Sequence, residues 1–444
     1  MDVKGTFARD RKSHAGTVQG ADKGAQELLW AAKKGHEKAV KKMLKRNDIS
    51  PDTTDIKFGR MPLSWAARGG RTRIVALLLK RRDINPNLRD KKSGRTPLLW
   101  AVKEGHYGVV KELLQRQSVN PNIEEKKYCR TPLWWAAENG DEGVIKLLLE
   151  REDINPNVVE TQDGRTPLSL AVLFGDRRVV KLLLGREDVD PNAGGTKYGT
   201  PLWTAVEMGH KAILKLLLKR KDIHPNITGS LGKTPLSLAA KNGDEGIVRL
   251  LLERPDIDPN ATGMGNCETP LAYAAQKGHV GVVKMLLGRE DINRTSLGPI
   301  IFSGNMPLVL AAKRGHEGVV KLLLEDDDIR GITHLQGDSY RSALERAVRH
   351  RRNAVVELLL ERVYGIHNTA DPEPSKTPLS WAAENGHKEV VKLLLERQAR
   401  DPNTADGRSR EWPLFLAMKG GYDGVVKLLL ARDDRDPNIV SSVS

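Results

Sequence analysis

A block of about 35 residues recurs twelve times along this chain, and that recurrence leaves little freedom in what it can fold into. The clearest copy reads Thr131-Pro132-Leu133-Trp134-Trp135-Ala136-Ala137, then Gly140, then the run Leu147-Leu148-Leu149. Its opening residue falls at 26, 61, 96, 131, 166, 200, 234, 269, 306, 342, 377 and 412. A period of this length marks a stacked array, in which each unit buries its core against its neighbours. Such an array offers an extended surface to partners, so the chain is read first as a binding surface.

Within this copy, Thr131 is placed to cap a helix and Pro132 to occupy its first position, where a missing N–H does no harm. Leu133, Ala136 and Ala137 form an apolar stripe at helical spacing. Leu holds the third position and Ala the sixth in all twelve copies, so helices should approach closely along the Ala column. Gly140 has the place of a left-handed helix stop. Asp141 opens a second helix with the stripe Val144, Ile145, Leu147, Leu148 and Leu149, ending near Arg151. Asp153-Ile154-Asn155-Pro156-Asn157 then reads as an extended turn into the next copy. Two short antiparallel helices cannot cover their own faces, which is why the block recurs.

Composition agrees with an elongated stack: 39% of residues are hydrophobic. Cys129 and Cys267 stand far apart, which excludes a disulfide framework or a metal-binding spacing and suits a reducing compartment. No run of about 18 apolar residues predicts a membrane span. Residues 1–24 are charged and Gly-rich, expected to be a disordered basic leader and not a secretory signal. The array is expected over 25–438 and a tail over 439–444, in a monomeric chain of the cytoplasm or nucleus.

A net charge of +15 raises the question of nucleic acid. The repeat allows that charge to be assigned to columns. Twenty positions after the opening, eleven of twelve copies carry Arg, from Arg46 and Arg81 to Arg432. Fifteen after it, ten carry Lys or Arg, and the two columns hold 21 of the 72 basic residues. Both are read as scaffold: cations that complement helix C-termini and solvate an outer face.

Thr-Pro-Leu, Ala-Ala, Gly-His and Val-Val-x-Leu-Leu-Leu at these offsets resemble ankyrin repeats. The wording Thr377-Pro378-Leu379-Ser380-Trp381-Ala382-Ala383-Glu384-Asn385-Gly386-His387, with turns such as Asp401-Pro402-Asn403, is similar to long arrays of filamentous fungi. The resemblance implies an all-α helix-turn-helix solenoid of about 12 repeats with short β-hairpin fingers. It also implies a concave side of fingers and first helices that binds proteins. The His that usually follows Thr-Pro-Leu is replaced throughout, for example by Ser64, Leu99, Trp134 and Trp203. Trp30, Trp65, Trp100, Trp135 and Trp381, one position further on, are read as core or inter-repeat contacts.

Catalytic chemistry does not emerge. His36, His106, His210, His279, His316 and His387 share one column, but Asp141, Asp176 and Asp244 hold it in other copies. A helix-opening position that accepts His or Asp is read as a capping position, and successive copies lie too far apart to share a metal. There is no Gly-rich phosphate loop and no convergent carboxylate pair. No catalytic residue, cofactor or metal is expected, and the chain is read as non-enzymatic.

Specificity is expected where the columns vary. The first candidate is basic: Arg60, Arg95, Arg130 and Arg165 precede four consecutive openings, with Lys92, Lys127 and Tyr128 on fingers and Lys103 on a first helix. Asp90, Glu104, Glu124, Glu125 and Glu138 interleave with them, which favours an acidic protein surface or peptide over a generic polyanion. The second is apolar: Leu173, Phe174 and Met208 interrupt columns of Glu, Lys and Asn, with Trp203 and Tyr198 nearby. A weak joint is expected at the copies opening at 306 and 342, where the Pro-Asn turn becomes Asn293-Arg294, Leu297 to Phe302 are inserted, and Arg351 replaces the helix-ending Gly.

The function read from the sequence is a scaffold or adaptor that binds a protein partner along the concave face, with no membrane partner. The second reading is a nucleic-acid-associated or nuclear regulatory protein. A third makes the chain an accessory component of a fungal signalling or biosynthetic gene system.

Overall fold

In the computed structural model, residues 23–194, 199–229, 232–262, 268–294, 306–326, 338–362, 377–397 and 412–431 are described. Most of the expected leader, the tail, Tyr198, Cys267 and the insert from Leu297 to Phe302 lie outside them. The described residues form 24 helices and no strand. The chain divides into two compact units, Met1–Pro201 and Leu202–Ser444.

Each repeat is a pair of helices, as in Pro132–Asn139 followed by Glu142–Leu149. The caps act as their residues dictate: the Thr131 side chain accepts from the Trp134 amide, and Thr96, Thr166, Thr234, Thr269 and Thr377 do the same in their own repeats. Gly140 stops its helix in the left-handed region at φ 66°, where a side chain is rarely tolerated. Ala66, Ala101, Ala136 and Ala171 are fully buried, so the Ala column marks close helix packing. Repeat boundaries differ from expectation at two places. The first helix starts at Lys23, inside the expected leader, and the helix expected to open at Ser342 starts at Asp338.

The described fingers are turns and hold no strand. A backbone bond closes the base, such as Asp90 N to Arg95 O (2.9 Å), a second turns the tip in some, such as Gly94 N to Asp90 O (3.0 Å), and single bonds link neighbours, such as Lys91 N to Phe58 O and Lys126 N to Ser93 O (3.0 Å each). Carboxylates add to this bracing: half-buried Asp55 accepts the Phe58 and Arg60 amides, and buried Asp90 the Ser93 amide.

Three polar devices fasten repeat to repeat. The first is the arginine column, which the sequence reading placed on a solvated outer face. Instead, Arg151 is 9% exposed and donates to the Leu114 and Val119 carbonyls of the preceding repeat, each at 3.2 Å. Its Nε and Nη2 also grip Asp153, at 2.8 and 2.7 Å. Arg81, Arg116, Arg186, Arg254 and Arg289 reach back to the preceding helix end in the same way. The cation does complement a helix C-terminus. It is the neighbour's.

The second device is the Asn of the turn. Asn122 Nδ2 donates to Asp153 O at 2.6 Å, and its Oδ1 accepts the Asn155 amide at 2.7 Å, both in the following repeat. Asn87, Asn157, Asn226 and Asn260 repeat this bridge.

The third is the histidine column, where the capping expectation fails for His. Asp141, Asp176 and Asp244 do cap their helices. His106, His279 and His316 make no side-chain cap; their Nε2 instead donates to a carbonyl of the preceding repeat (Arg68, Lys241 and Gln276), each at 3.0 Å. The imidazole is too long to turn back onto its own helix start, but it spans the gap to the repeat before. It also lies against that repeat's terminal glycine: a Cβ at Gly70 would come within 2.9 Å of the His106 ring.

At the expected weak joint the fastening is rerouted. Position 326 is Asp in place of Arg, and Arg294 from the preceding turn takes the role, donating to Asp326 Oδ2 at 3.0 Å and to Leu287 O at 3.3 Å. Arg351 adopts the left-handed φ of 54° that glycine holds elsewhere, and its Nε donates to His387 Nδ1 at 2.9 Å.

Two outcomes follow. Arg151→Met should destabilise the chain by about 2–3 kcal/mol in urea unfolding, because buried carbonyls lose a charged donor, while Lys146→Met on the same helix should change it by less than about 0.5 kcal/mol. Arg294→Ala should speed amide exchange in the helices Val280–Leu287 and Glu317–Glu325 ahead of those in Met1–Pro201.

Candidate functional site

In the first unit, fingers and first helices of the repeats opening at 61, 96 and 131 enclose a groove of about 750 Å³. Its lining combines Phe58, Trp100 and Tyr128 with Arg60, Arg68, Lys92, Arg95, Lys126 and Lys127, against the single carboxylate of Glu125. Five of the expected site residues, Arg60, Lys92, Arg95, Lys127 and Tyr128, are thus brought together.

The arginines stack on aromatic faces. Around the Trp100 ring, the guanidinium carbons of Arg60, Arg95 and Arg68 lie 4.3, 4.9 and 5.0 Å from the centroid. Arg130 lies 4.1 Å from the Trp134 centroid and 4.7 Å from that of Tyr128, and Lys103 Nζ 4.1 Å from that of Trp135. These distances are within cation–π range. Trp65 and Trp100 are fixed in turn by their indole N–H groups, which donate to Asp55 (3.0 Å) and Asp90 (2.8 Å). The tryptophans read from the sequence as core contacts therefore also form the wall on which the cations lie.

The ladder is less exposed than its charge suggests. Arg60 is 5% exposed and sits 3.6 Å from Asp90, whose side chain is fully buried. Burial pulls the Arg60 guanidinium below its ordinary value, opposed by the Asp90 charge. Arg95 is held by Glu125 at 2.5 Å, and Arg68 by Glu104 at 3.4 Å. Burial lowers Lys103 as well, with Arg95 adding to the effect. What faces solvent is the rim of finger lysines, Lys91, Lys92, Lys126 and Lys127. The interleaved acids were seen in the sequence. That Asp90 and Glu125 lie under the ladder was not, because burial at a finger base leaves no mark in the repeat spacing. Arg165 is half-buried in the next finger.

The apolar candidates separate by burial. Phe174 is 59% exposed and Leu173 half-buried in the first unit; Met208 is 45% exposed in the second. Trp203 is 3% exposed and is corrected from a surface anchor to a core residue. It packs against the next finger, where a Cβ at Gly229 would clash with its ring.

A family model described as ankyrin repeats in three copies matches residues 28–125, 118–194, 174–263, 202–296, 271–371 and 344–441. The chain belongs to the ankyrin-repeat family. Among solved structures, this ankyrin array is similar to the ankyrin repeat domain of Bcl-3, described as a unique member of the IkappaB protein family. The two are 26% identical, with a TM-score of 0.44, over 52% of this chain and 99% of that one. No curated protein matches it. Ankyrin repeats are protein–protein interaction modules of a non-enzymatic family. No described helix is long and apolar enough to cross a membrane.

Arg60→Met should destabilise the array by about 3 kcal/mol in urea unfolding, since it leaves the buried Asp90 without its cation. Lys92→Met on the rim should leave stability within about 0.5 kcal/mol.

Proposed function

We propose that this ankyrin array is a scaffold that takes an acidic segment of a partner protein into the groove formed by its second to fourth repeats. One observation carries the reading: six cationic side chains and three aromatic rings line a single groove with one carboxylate. The arginines on the wall are already paired with Asp90, Glu104 and Glu125, so the unspent charge is that of the finger lysines. These steer an acidic chain inward, and the aromatic faces accept its apolar atoms. Phe174, exposed on the next repeat of the same unit, extends the contact with an apolar anchor.

The reading is tested by fluorescence anisotropy with a short labelled Glu-rich peptide and the full chain. Reversing Lys92, Lys126 and Lys127 to Glu should weaken binding by at least about tenfold without changing the unfolding midpoint. Equal affinity in the variant would overturn the groove assignment. Displacement of the peptide by random duplex DNA at physiological salt would favour the nucleic-acid reading instead.

A further inference from the structure

Three successive repeats place the same three residue types in register: a carboxylate at the finger base, an arginine at the finger end and a tryptophan on the first helix. The sets are Asp55, Arg60 and Trp65; Asp90, Arg95 and Trp100; Glu125, Arg130 and Trp135. In the first two, the carboxylate accepts the indole N–H of its own set, at 3.0 and 2.8 Å. In the third it does not. Arg95 Nε and Nη2 hold Glu125, at 2.8 and 2.5 Å, and Trp135 Nε1 is buried with no acceptor among the described residues.

The arginines break step at the same place. Arg60 faces Asp90 and Arg95 faces Glu125, each on the following finger. Arg130 should face Glu160, but Glu160 turns to its own finger and accepts the Gln162, Asp163 and Arg165 amides. Arg130 is left with the neutral Gln162 amide oxygen at 3.0 Å, and its Nε is buried with no acceptor among the described residues. Trp134 Nε1 is in the same condition.

These donors lie together. The Trp134 and Trp135 rings are 5.4 Å apart and edge to face, with Arg130 4.1 and 5.4 Å from their centroids. The two indoles are 3% and 8% exposed, and Lys103 adds a second cation over Trp135. A buried donor without an acceptor is unfavourable, and native structures rarely leave several in one place. Here they gather beside the groove, next to Tyr128 and Glu125 of its lining.

We propose that this third set is the seat of a carboxylate supplied by the partner, an Asp or Glu side chain of the acidic segment in the groove. The assignment rests on the groove reading and sharpens it to one position. The template is in the chain itself: where Asp55 and Asp90 fill the first two sets from within, the third lacks its own filler. A planar carboxylate can accept from an indole while facing a guanidinium, as Asp90 accepts the Trp100 indole N–H and lies 3.6 Å from Arg60 Nε. Arg130 and Lys103, long side chains lying over the indoles, swing outward to meet it.

The test uses the full chain labelled with nitrogen-15, titrated with the Glu-rich peptide while the indole N–H resonances are followed. The Trp134 and Trp135 signals should shift and saturate, while those of Trp65 and Trp100, already bonded to Asp, stay in place. Gln162→Glu gives Arg130 a carboxylate of its own on an exposed position, and Trp135→Phe removes one donor while keeping a ring. Each should weaken the peptide about tenfold, the effect of losing one charge-assisted hydrogen bond. A peptide that binds with Trp134 and Trp135 unmoved, and equally well to Gln162→Glu, would refute the carboxylate seat and leave the groove reading intact. A peptide that does not bind the wild-type chain would remove the groove reading, and the seat with it. A matched phosphoserine peptide that moves the same indoles and binds more than tenfold tighter would reassign the seat to phosphate.

Discussion

An arginine that reaches backwards governs this structure. At the end of a second helix the last carbonyls have no intrahelical partner, and in six of the described repeats the guanidinium of the next repeat supplies one. Arg151 serves the end of Tyr107–Leu114 while its own Asp153 holds the fork in position. The clamp joins a helix terminus, a turn and a neighbour through one side chain, so a repeat held this way does not complete its own hydrogen bonding. The apolar stripes supply the driving force for stacking, and the arginines, the turn asparagines and the histidines set its register. Arg294 and Asp326 show how firmly this requirement holds: where the column loses its arginine, another enters from the preceding turn.

Much of the fold was legible because repetition exposes function column by column. The Thr cap, the Pro start, the Gly stop and the Ala column are short-range devices, and each acts within a few residues of where it is written. The three fastenings between repeats were misread or unseen for the opposite reason. The partners of Arg151, Asn122 and His106 lie a whole repeat away in sequence. A helix-end arginine next to an aspartate looks the same from the sequence whether it faces water or a neighbour. The fingers were legible as turns of fixed length but not as carboxylate-braced loops, since Asp55 and Asp90 resemble any other surface acid.

The site was half legible. Arg60, Arg95, Arg130 and the finger lysines stand out because four consecutive repeats share what the others lack. Their burial and stacking do not, since that depends on Trp65, Trp100 and Trp135, which the spacing alone assigns to the core. A net charge of +15 likewise overstates the basic surface. Many of the arginines are turned inward to carbonyls and buried carboxylates, and in the groove the charge left to meet a partner is that of a few finger lysines.

Arg60 and Arg95 each answer to a carboxylate on the finger after their own, so the working unit of recognition is the seam between two repeats. A repeat copied or deleted as a block would carry away one half of two different seams and create a new pairing at the cut. Arrays of this kind can therefore change what they bind through rearrangement alone, with no residue inside any repeat altered.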